Sequence, residues 1–391
     1  MVDFKEITIE QFLTDYWQKK PLVIRQALPN FRNPLAPDEL AGLALEEEIE
    51  SRIVFETPKQ SPYWHLKRGP FVPQDFKDLP KTYWTLLVQG VDRFLPKVNL
   101  MFDHFDFLPQ WRVDDVMISY AVEHGSVGPH YDNYDVFLYQ AIGTRKWSLT
   151  TKKCNAENHL PGIELRIMKD FQTEEEHILG EGDMLYLPPH VGHHGIAVSK
   201  DCMTYSFGYR SYGAQELLEN FTDYLAQTTL SSLYKDPDWN DLRGTSELPK
   251  QAWKNAQTLM KKLLVNEEQI KSWFGCFVTR LDLQAEELLP QPLAKGASLD
   301  KFNRMLGNNQ KLLRNPLCRF AYQEEAQGLV HLFINGEQWN VEGVSVELIK
   351  LIANSRLLHS DELRSFLEEE QNRFFLFKLW KLQWLDVMEA E

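Results

Sequence analysis

The sequence predicts a mainly β core with added helices. The core closes as a jelly-roll barrel and is followed by a helical bundle and a winged-helix-like C-terminal domain. Three observations support this class. Short segments rich in aromatic and β-branched residues alternate with turn signals between Trp111 and Arg210. Apolar residues then recur at helical spacing after Tyr212. Near the end, an Asn335-Gly336 hairpin signal lies between two helical patterns. These boundaries predict three parts, over residues 1–210, 211–285 and 298–391.

The N-terminal part predicts elements that support the barrel. Residues Ile7 to Lys20 predict an amphipathic helix stopped by Pro21, and a strand follows to Arg25. Asp38, directly after a proline, predicts the cap of a second helix. Further elements are predicted over Arg52–Trp64, Tyr83–Gln89 and Trp111–Val122; the last should be a strand with Met117, Ser119 and Ala121 on one face.

The stretch from Gly128 to Trp147 carries the first sign of chemistry. We interpret it as a strand, in which His130 and Asp132 share one face and Tyr131 points to the other. An imidazole and a carboxylate that converge in this way supply two ligands of the 2-His-1-carboxylate triad, which leaves open positions on a non-haem Fe(II). A third ligand must come from elsewhere in the chain.

A histidine-rich segment from Gly182 to Gly195 offers that ligand. Gly-Asp marks a turn, Met184 to Leu187 predicts a short apolar strand, and a Pro-Pro pair ends it. His190, His193 and His194 then compete for the role. Adjacent histidines in an extended segment face opposite ways, so the residues themselves leave the choice open.

Composition narrows the class of protein. The chain has 391 residues, of which 43% are hydrophobic, and 42 basic against 56 acidic residues give a net charge of −14. This charge argues against binding a polyanion and is compatible with a basic partner. Four widely spaced cysteines favour reduced thiols, and neither a secretory signal nor an apolar run of membrane-spanning length is present in the sequence. We therefore expect a soluble, cytoplasmic protein that does not act at a membrane.

The C-terminal half predicts a bundle, a linker and a small domain. Leu217, Leu218, Phe221 and Leu225 recur at helical spacing, and two further helical runs follow. Leu281 to Ala297 contains prolines and acidic residues and is predicted as a linker. The order helix, hairpin and two helices is typical of a winged helix. Residues 345–391 carry six basic and nine acidic side chains, so we expect no direct DNA binding.

The spacing His-x-Asp followed by Gly-Asp-x-x-x-x-Pro-x-x-x-x-His resembles the JmjC-type cupin oxygenases. The match is strongest to the bacterial ribosomal oxygenases, which hydroxylate an arginine of ribosomal protein sixteen of the large subunit. The resemblance covers roughly residues 16 to 210 and also rests on the segments Tyr16–Pro21, Asp114–Ser119 and Tyr205–Arg210. It selects His193 as the third ligand and implies that His194 lies just behind the ligand set.

The resemblance implies Fe(II) on His130, Asp132 and His193, with 2-oxoglutarate as cosubstrate. Arg145 is then suited to the far carboxylate of 2-oxoglutarate, since a guanidinium is always charged and binds carboxylates in a bidentate manner. Ser119 is expected to donate to the same carboxylate, whereas strand alternation should turn Lys146, the rival of Arg145, outward.

Further expectations concern the substrate and the partners. The candidates for holding a cationic side chain are Glu123, Tyr131, Tyr134 and Asp135; those for orienting the ligand histidines are Asn133 and His194. The family also implies a homodimer formed through the helical bundle. Two other functions stay open: hydroxylation of a histidine in another ribosomal protein, and a cupin scaffold that binds a partner without turnover. Distant JmjC proteins demethylate histone lysines.

Overall fold

A computed structural model describes most of the chain. The described residues are 1–58, 63–228, 233–236, 248–264, 266–293, 296–306 and 310–388. They form two compact units, Met1–Ser211 and Tyr212–Glu391, and each is described by itself.

The first unit is built on two antiparallel sheets. Its strands are β1 Leu22–Ile24, β2 Ser51–Glu56, β3 Trp64–Arg68, β4 Trp84–Val88, β5 Val113–Val122, β6 His130–Tyr131, β7 Asp135–Ile142, β8 Arg145–Thr150, β9 Glu175–Leu179, β10 Met184–Leu187, β11 Gly192–Ala197 and β12 Asp201–Tyr209. The larger sheet has the order β1-β10-β7-β12-β5-β4-β2-β3, and the smaller has the order β6-β11-β8-β9. Strands close in sequence therefore alternate between sheets, which confirms the predicted jelly roll.

Five helices belong to the same unit: α1 Ile9–Asp15, α2 Pro37–Leu43, α3 Pro73–Lys77, α4 Val91–Phe94 and α5 Pro96–Asn99. Side chains such as Phe12, Phe102 and Phe105 are fully buried in the same core as Phe137 and Phe207 of the larger sheet. This aromatic core buttresses one face of the sheet and leaves the other face for the barrel interior.

Helix α1 is shorter than predicted, and helix α2 begins at a different residue. Helix α1 ends at Asp15 instead of Lys20, and Gln18 has a φ of 59°, in the left-handed region that an α-helix does not use. Asp38 is not the cap of α2. Ala36 takes that position and Pro37 is the first helical residue, where the missing N–H of proline costs nothing.

The prediction of one strand from Gly128 to Trp147 is wrong, because this segment is divided among β6, β7 and the start of β8. Strand β6 ends at Tyr131, and β7 begins at Asp135 in the other sheet. The chain crosses between the sheets over residues 132–134, so Asp132 belongs to a connection and not to a strand. A hydrogen bond of 2.8 Å from the His190 backbone N–H to the Asp132 carbonyl holds this crossing.

The second unit contains eight helices and six strands among its described residues. They are α6 Ala214–Thr228, α7 Lys250–Leu264, α8 Glu267–Thr279, α9 Leu283–Leu288, α10 Leu299–Met305, β13 Lys311–Arg314, β14 Phe320–Glu324, β15 Val330–Ile334, β16 Glu337–Trp339, α11 Val346–Asn354, β17 Leu357–His359, α12 Ser360–Leu363, α13 Glu370–Lys381 and β18 Leu385–Met388. The predicted hairpin joins β15 to β16, with Asn335 and Gly336 at φ values of 51° and 85°.

The predicted linker is partly wrong. Helix α9 lies within this segment and begins after the Asp282 cap. Ala285 in the helix is buried, as is Leu281 just before the cap. A capping aspartate followed by good helix formers outweighs the nearby prolines and acidic residues, since Pro290 only ends the helix. Residues 294–295 of this segment lie outside the described part of the chain. Within the described residues, no helix is both long enough and apolar enough to cross a bilayer.

Candidate metal centre and cavity

Three side chains converge inside the barrel. His130 on β6 pairs directly with His193 on β11, and Asp132 follows two residues after His130. Each of these residues offers one ligand atom, and the three atoms lie within 4.8 Å of one another. The distance between the His193 Nε2 and Asp132 Oδ2 atoms is 3.6 Å. This two-histidine, one-carboxylate set matches the facial arrangement that binds non-haem Fe(II).

Backbone carbonyls fix both imidazoles. The His130 Nδ1 atom lies 2.9 Å from the Gly128 carbonyl oxygen, and the His193 Nδ1 atom lies 3.1 Å from that of Val191. Each Nδ1–H donates to its carbonyl, so each Nε2 carries the free lone pair that a metal needs. Burial, followed by the field of His130, lowers the pKa of His193 to about 4, so His193 stays neutral at pH 7.

The residues expected to orient the ligand histidines do not do so. In β11, His194 pairs with Ser148 and points to the opposite face from His193, where its ring lies 6.0 Å from that of Phe171. Asn133 is exposed in the crossing after Asp132. The orienting partners are instead the two carbonyls described above, and sequence patterns cannot reveal a backbone contact.

A cavity of about 220 Å³ surrounds the three converging residues. Both sheets contribute to it, as does the loop that ends at Ile167. Its lining comprises Arg52, Val54, Leu87, Gln89, Asp115, Met117, Ser119, Val127, His130, Asp132, Tyr134, Val136, Leu138, Arg145, Trp147, Leu165, Arg166, Ile167, His193, Thr204, Ser206 and Gly208. Polar and apolar residues share this lining about equally, and three of the polar ones are arginines, Arg52, Arg145 and Arg166. A cavity with convergent polar groups is typical of a small-molecule site.

Arg145 points into this cavity and Lys146 points away from it, as strand alternation predicts. Arg145 is only 3% exposed, and its Nη2 atom is buried without a hydrogen-bond partner. No ion pair among the described residues involves it. Ser119, which is also buried, lines the same wall, whereas Lys146 pairs with Glu176 on the outside. A buried guanidinium with a free N–H edge fits a carboxylate of 2-oxoglutarate.

A carboxylate also lines the cavity. Asp115 on β5 is 8% exposed, and its Oδ2 atom accepts hydrogen bonds from two neutral groups, the Gln89 amide and the Gly90 backbone N–H. Burial, with the nearby charge of Asp114, raises its pKa well above the usual aspartate value. No sequence pattern assigns Asp115 a role. Strand alternation nevertheless places it on the inner face of β5, together with Met117 and Ser119.

The four residues expected to hold a cationic side chain fare differently. Tyr134 lines the cavity. Asp135 is fully buried elsewhere, paired with Arg112 at 2.9 Å and accepting from the Tyr186 hydroxyl. Glu123 is half exposed, and Tyr131 stacks on His159. Neither they nor Asp135 line the cavity. Strand alternation itself turns Tyr131 and Asp135 away, because the cavity-lining residues of this stretch, from His130 to Leu138, all lie at even positions.

Comparisons with known proteins give a consistent result. Residues 100–217 match a JmjC domain model, and residues 258–386 match a ROXA-like winged helix. Ribosomal protein uL16 3-hydroxylase of Escherichia coli is 36% identical over 282 residues, which cover 72% of this chain and 74% of that protein. A probable ribosomal oxygenase of Haemophilus influenzae is 38% identical over 244 residues, which cover 61% of this chain and 57% of that protein.

Solved structures extend the likeness over the whole length. YcfD, a ribosomal oxygenase from Escherichia coli, has been solved in complex with cobalt and 2-oxoglutarate. That structure matches with a TM-score of 0.82 and 30% identity, covering 98% of this chain and 99% of that one. Another YcfD structure, with cobalt and succinic acid, matches equally well.

A jelly-roll barrel with a His-Asp-His cluster and a JmjC match defines a 2-oxoglutarate-dependent dioxygenase, a class that uses Fe(II). The chain belongs, within this class, to the ribosomal oxygenase family, whose YcfD member it matches along almost its entire length. The expected winged helix is confirmed at the same time.

Proposed function

We propose that His130, Asp132 and His193 hold Fe(II), and that Arg145 and Ser119 bind the far carboxylate of 2-oxoglutarate. Fe(II), when bound, couples the oxidative decarboxylation of 2-oxoglutarate to hydroxylation of an unactivated C–H bond. Two features of the chain support the assignment. Both imidazoles have their Nδ1 atoms occupied and their Nε2 atoms free, and Arg145 keeps an unused buried N–H. The apolar part of the cavity wall would exclude water from the reacting groups.

We infer that the substrate is an arginine side chain of ribosomal protein uL16. The name of the E. coli relative specifies uL16, and not the residue type. The observation that carries the inference is Asp115, a buried carboxylate whose hydrogen-bond donors are neutral. Such a group is costly to keep ionised, and the nearby Arg93 offsets this cost only in part, since the pKa of Asp115 stays raised. A substrate guanidinium would add a second cation and receive a bidentate partner.

The charges of the cavity also support a direction of binding. Arg145 contacts Cys202 near the start of β12, and Asp115 lies beside Gly208 near its end. Six residues of strand separate these positions, a span of about 20 Å. Arg52 and Arg166 also line the cavity. We propose that the anionic cosubstrate binds beside Arg145 and that the cationic side chain binds beside Asp115. A histidine substrate is largely neutral at pH 7 and would gain less from the carboxylate of Asp115. A scaffold without turnover would need neither the charge of Arg145 nor that of Asp115.

Mass spectrometry of uL16 tests this function. The purified enzyme is incubated with uL16, Fe(II), ascorbate and 2-oxoglutarate, with the Asp132→Ala variant as control. We expect a mass gain of one oxygen atom on a single arginine, absent with the variant. A gain on a histidine of another ribosomal protein would keep the chemistry and replace the substrate. Absence of any gain and of succinate would favour the scaffold without turnover.

Replacing Asp115 by asparagine should weaken substrate binding. The change preserves the size of the side chain and removes its charge, so we expect KM for a uL16 peptide to rise about 10- to 100-fold, the cost of losing a charged hydrogen bond. KM for 2-oxoglutarate should stay near the wild-type value. The matched control is Asp114→Asn, because Asp114 pairs with Arg210 and does not line the cavity. Equal effects of both variants would contradict the assignment.

We propose further that residues 211–285 form a dimerisation bundle. Helix α7 is amphipathic, yet none of the residues 250–262 is buried, and Trp253 and Met260 are 48% and 63% exposed. Its charged residues are all lysines, whereas those of α6 are all acidic. An exposed apolar face with this charge suits the acidic helix of a second copy. A cytoplasmic homodimer acting on a basic ribosomal protein, without direct DNA binding, is the resulting proposal.

Sedimentation velocity tests the dimer. The wild-type chain should sediment as a dimer, and Met260→Glu should shift it to monomer because a charge then enters the apolar contact. Thr258→Glu, an exposed polar position on the opposite side of the same helix, serves as control and should stay dimeric. A wild-type monomer at micromolar concentration would contradict the proposal.

A further inference from the structure

Arg145 is oriented by a sulfur atom. Its Nε atom donates to the Cys202 Sγ atom at 3.4 Å, and both side chains are buried, with Cys202 fully so. The guanidinium also lies 5.6 Å from the Trp147 ring centroid. A carboxylate is the usual partner of a buried arginine, because it compensates the charge. Among the described residues no carboxylate pairs with Arg145, and its Nη2 atom has no hydrogen-bond partner.

Cys202 is itself held by a buried amide. The Gln140 Nε2 atom lies 3.2 Å from the Cys202 Sγ atom and 2.8 Å and 3.3 Å from the Ile142 and Met203 carbonyl oxygens. The Gln140 Oε1 atom accepts from the Thr204 hydroxyl at 3.1 Å. Gln140 is also fully buried. The amide therefore links the sulfur to the backbone and to the cavity wall.

This contact depends on an irregularity between two strands. The pairing of β12 with β7 shifts register between Met203 and Thr204, which leaves Ala141 without a partner. A bulge of this kind frees backbone groups and re-aims side chains. The Gln140 amide satisfies the carbonyls on both sides of the shift, and so it fixes the backbone that carries Cys202.

We propose that Cys202 is a positioning residue for cosubstrate binding, with Gln140 as its support; the inference rests on the proposed role of Arg145. The sulfur accepts the Nε–H and turns the remaining N–H edge of the guanidinium toward the cavity. The hydrogen bond to the sulfur orients Arg145 and leaves its Nη2 atom free to meet a carboxylate. An acidic residue in this place would compete with 2-oxoglutarate for the same guanidinium.

Calorimetric titration of the Mn(II)-loaded protein, which does not turn over, tests this role. In Cys202→Ala the Kd for 2-oxoglutarate should rise about tenfold, the loss of one hydrogen bond to a charged group. Binding of oxalate should be unchanged, because oxalate can chelate the metal but has no far carboxylate. Cys202→Ser should lie between wild type and Cys202→Ala. In turnover assays, Cys202→Ala should raise KM for 2-oxoglutarate and leave kcat near the wild-type value.

Cys318→Ala is the matched control. Cys318 is also buried and accepts a hydrogen bond from the Asn335 Nδ2 atom at 3.5 Å, but it lies in the C-terminal unit. Its loss should lower the Tm about as much as Cys202→Ala does and leave both Kd values unchanged. Cys202→Asp should weaken 2-oxoglutarate binding more than Cys202→Ala, since an internal ion pair then occupies Arg145.

Several results would overturn the inference. An unchanged Kd for 2-oxoglutarate in Cys202→Ala would remove the positioning role, and an equal loss of oxalate binding would reveal general damage to the cavity. Wild-type affinity in Cys202→Asp would show that an acidic residue at this position does not compete with 2-oxoglutarate for Arg145. If Arg145→Ala also binds 2-oxoglutarate normally, the role of Arg145 itself fails. If only the Cys202 variants bind normally, the proposed function stands and this inference alone is lost.

Discussion

Replacement of Asp132 by alanine is expected to abolish turnover while leaving the fold intact. The carboxylate is the sole acidic member of the proposed ligand set, and its Oδ2 atom lies 3.6 Å from the His193 Nε2 atom. Changes behind a metal ligand cost about 10- to 100-fold in affinity or activity, so losing a ligand should cost more than about 100-fold. Succinate formation, uL16 mass and bound iron are the measurements.

The fold should survive because the side chain of Asp132 contributes little to the stability of the fold. It is 22% exposed, and the hydrogen bond from the His190 N–H goes to its backbone carbonyl, which alanine retains. Asn133→Ala is the matched control, since Asn133 is the exposed neighbour in the same crossing. Full activity or full iron content in Asp132→Ala would show that the metal is held elsewhere, whereas a large fall in Tm would point to a structural role.

Arg145→Ala should raise KM for 2-oxoglutarate by about 30-fold or more, because removing one member of a desolvated charge pair costs at least about 2 kcal/mol and often much more. Activity at very high cosubstrate should recover in part, since the metal ligands remain. Arg145→Lys should recover less than its charge suggests, as an ammonium cannot reproduce the planar bidentate contact. Steady-state kinetics over a wide range of 2-oxoglutarate concentrations measure the effect.

The adjacent basic residue provides the control for Arg145. Lys146 faces outward and pairs with Glu176, with its side chain 38% exposed. Lys146→Ala should leave KM for 2-oxoglutarate unchanged, because an exposed ion pair contributes little and lies outside the cavity. Equal shifts in both variants would mean that the two cations act through general electrostatics, and an unchanged KM in Arg145→Ala would remove its proposed role.

Much of the candidate site can be predicted from sequence because its residues follow strand alternation. His193 and Arg145 lie on the paired strands β11 and β8, so a period of two places both inside and sends His194 and Lys146 outside. The choice of His193 over His190 and His194 came from the family spacing alone. The barrel and the winged helix were likewise predictable, because turn signals and apolar periodicity reflect burial over many residues.

Predictions failed where a local break decides the geometry. The ladder stops after Tyr131, so Asp132 reaches the cluster from a crossing between sheets. In the C-terminal unit, the Asp282 cap starts helix α9 inside the predicted linker. Each outcome depends on a few hydrogen bonds to the backbone, and the spacing of apolar residues along the sequence does not reveal them.

The sequence by itself determined the family, the two-sheet barrel and the residues that offer metal ligands and a cation for 2-oxoglutarate. These features rest on residue type and on spacing along single strands, which a linear pattern records. Only the tertiary structure decided that backbone carbonyls orient the histidines, and that Gln140 supports Cys202, which in turn holds Arg145. The contacts among these last three residues join separate strands beside a shifted register, and no local pattern specifies such a shift.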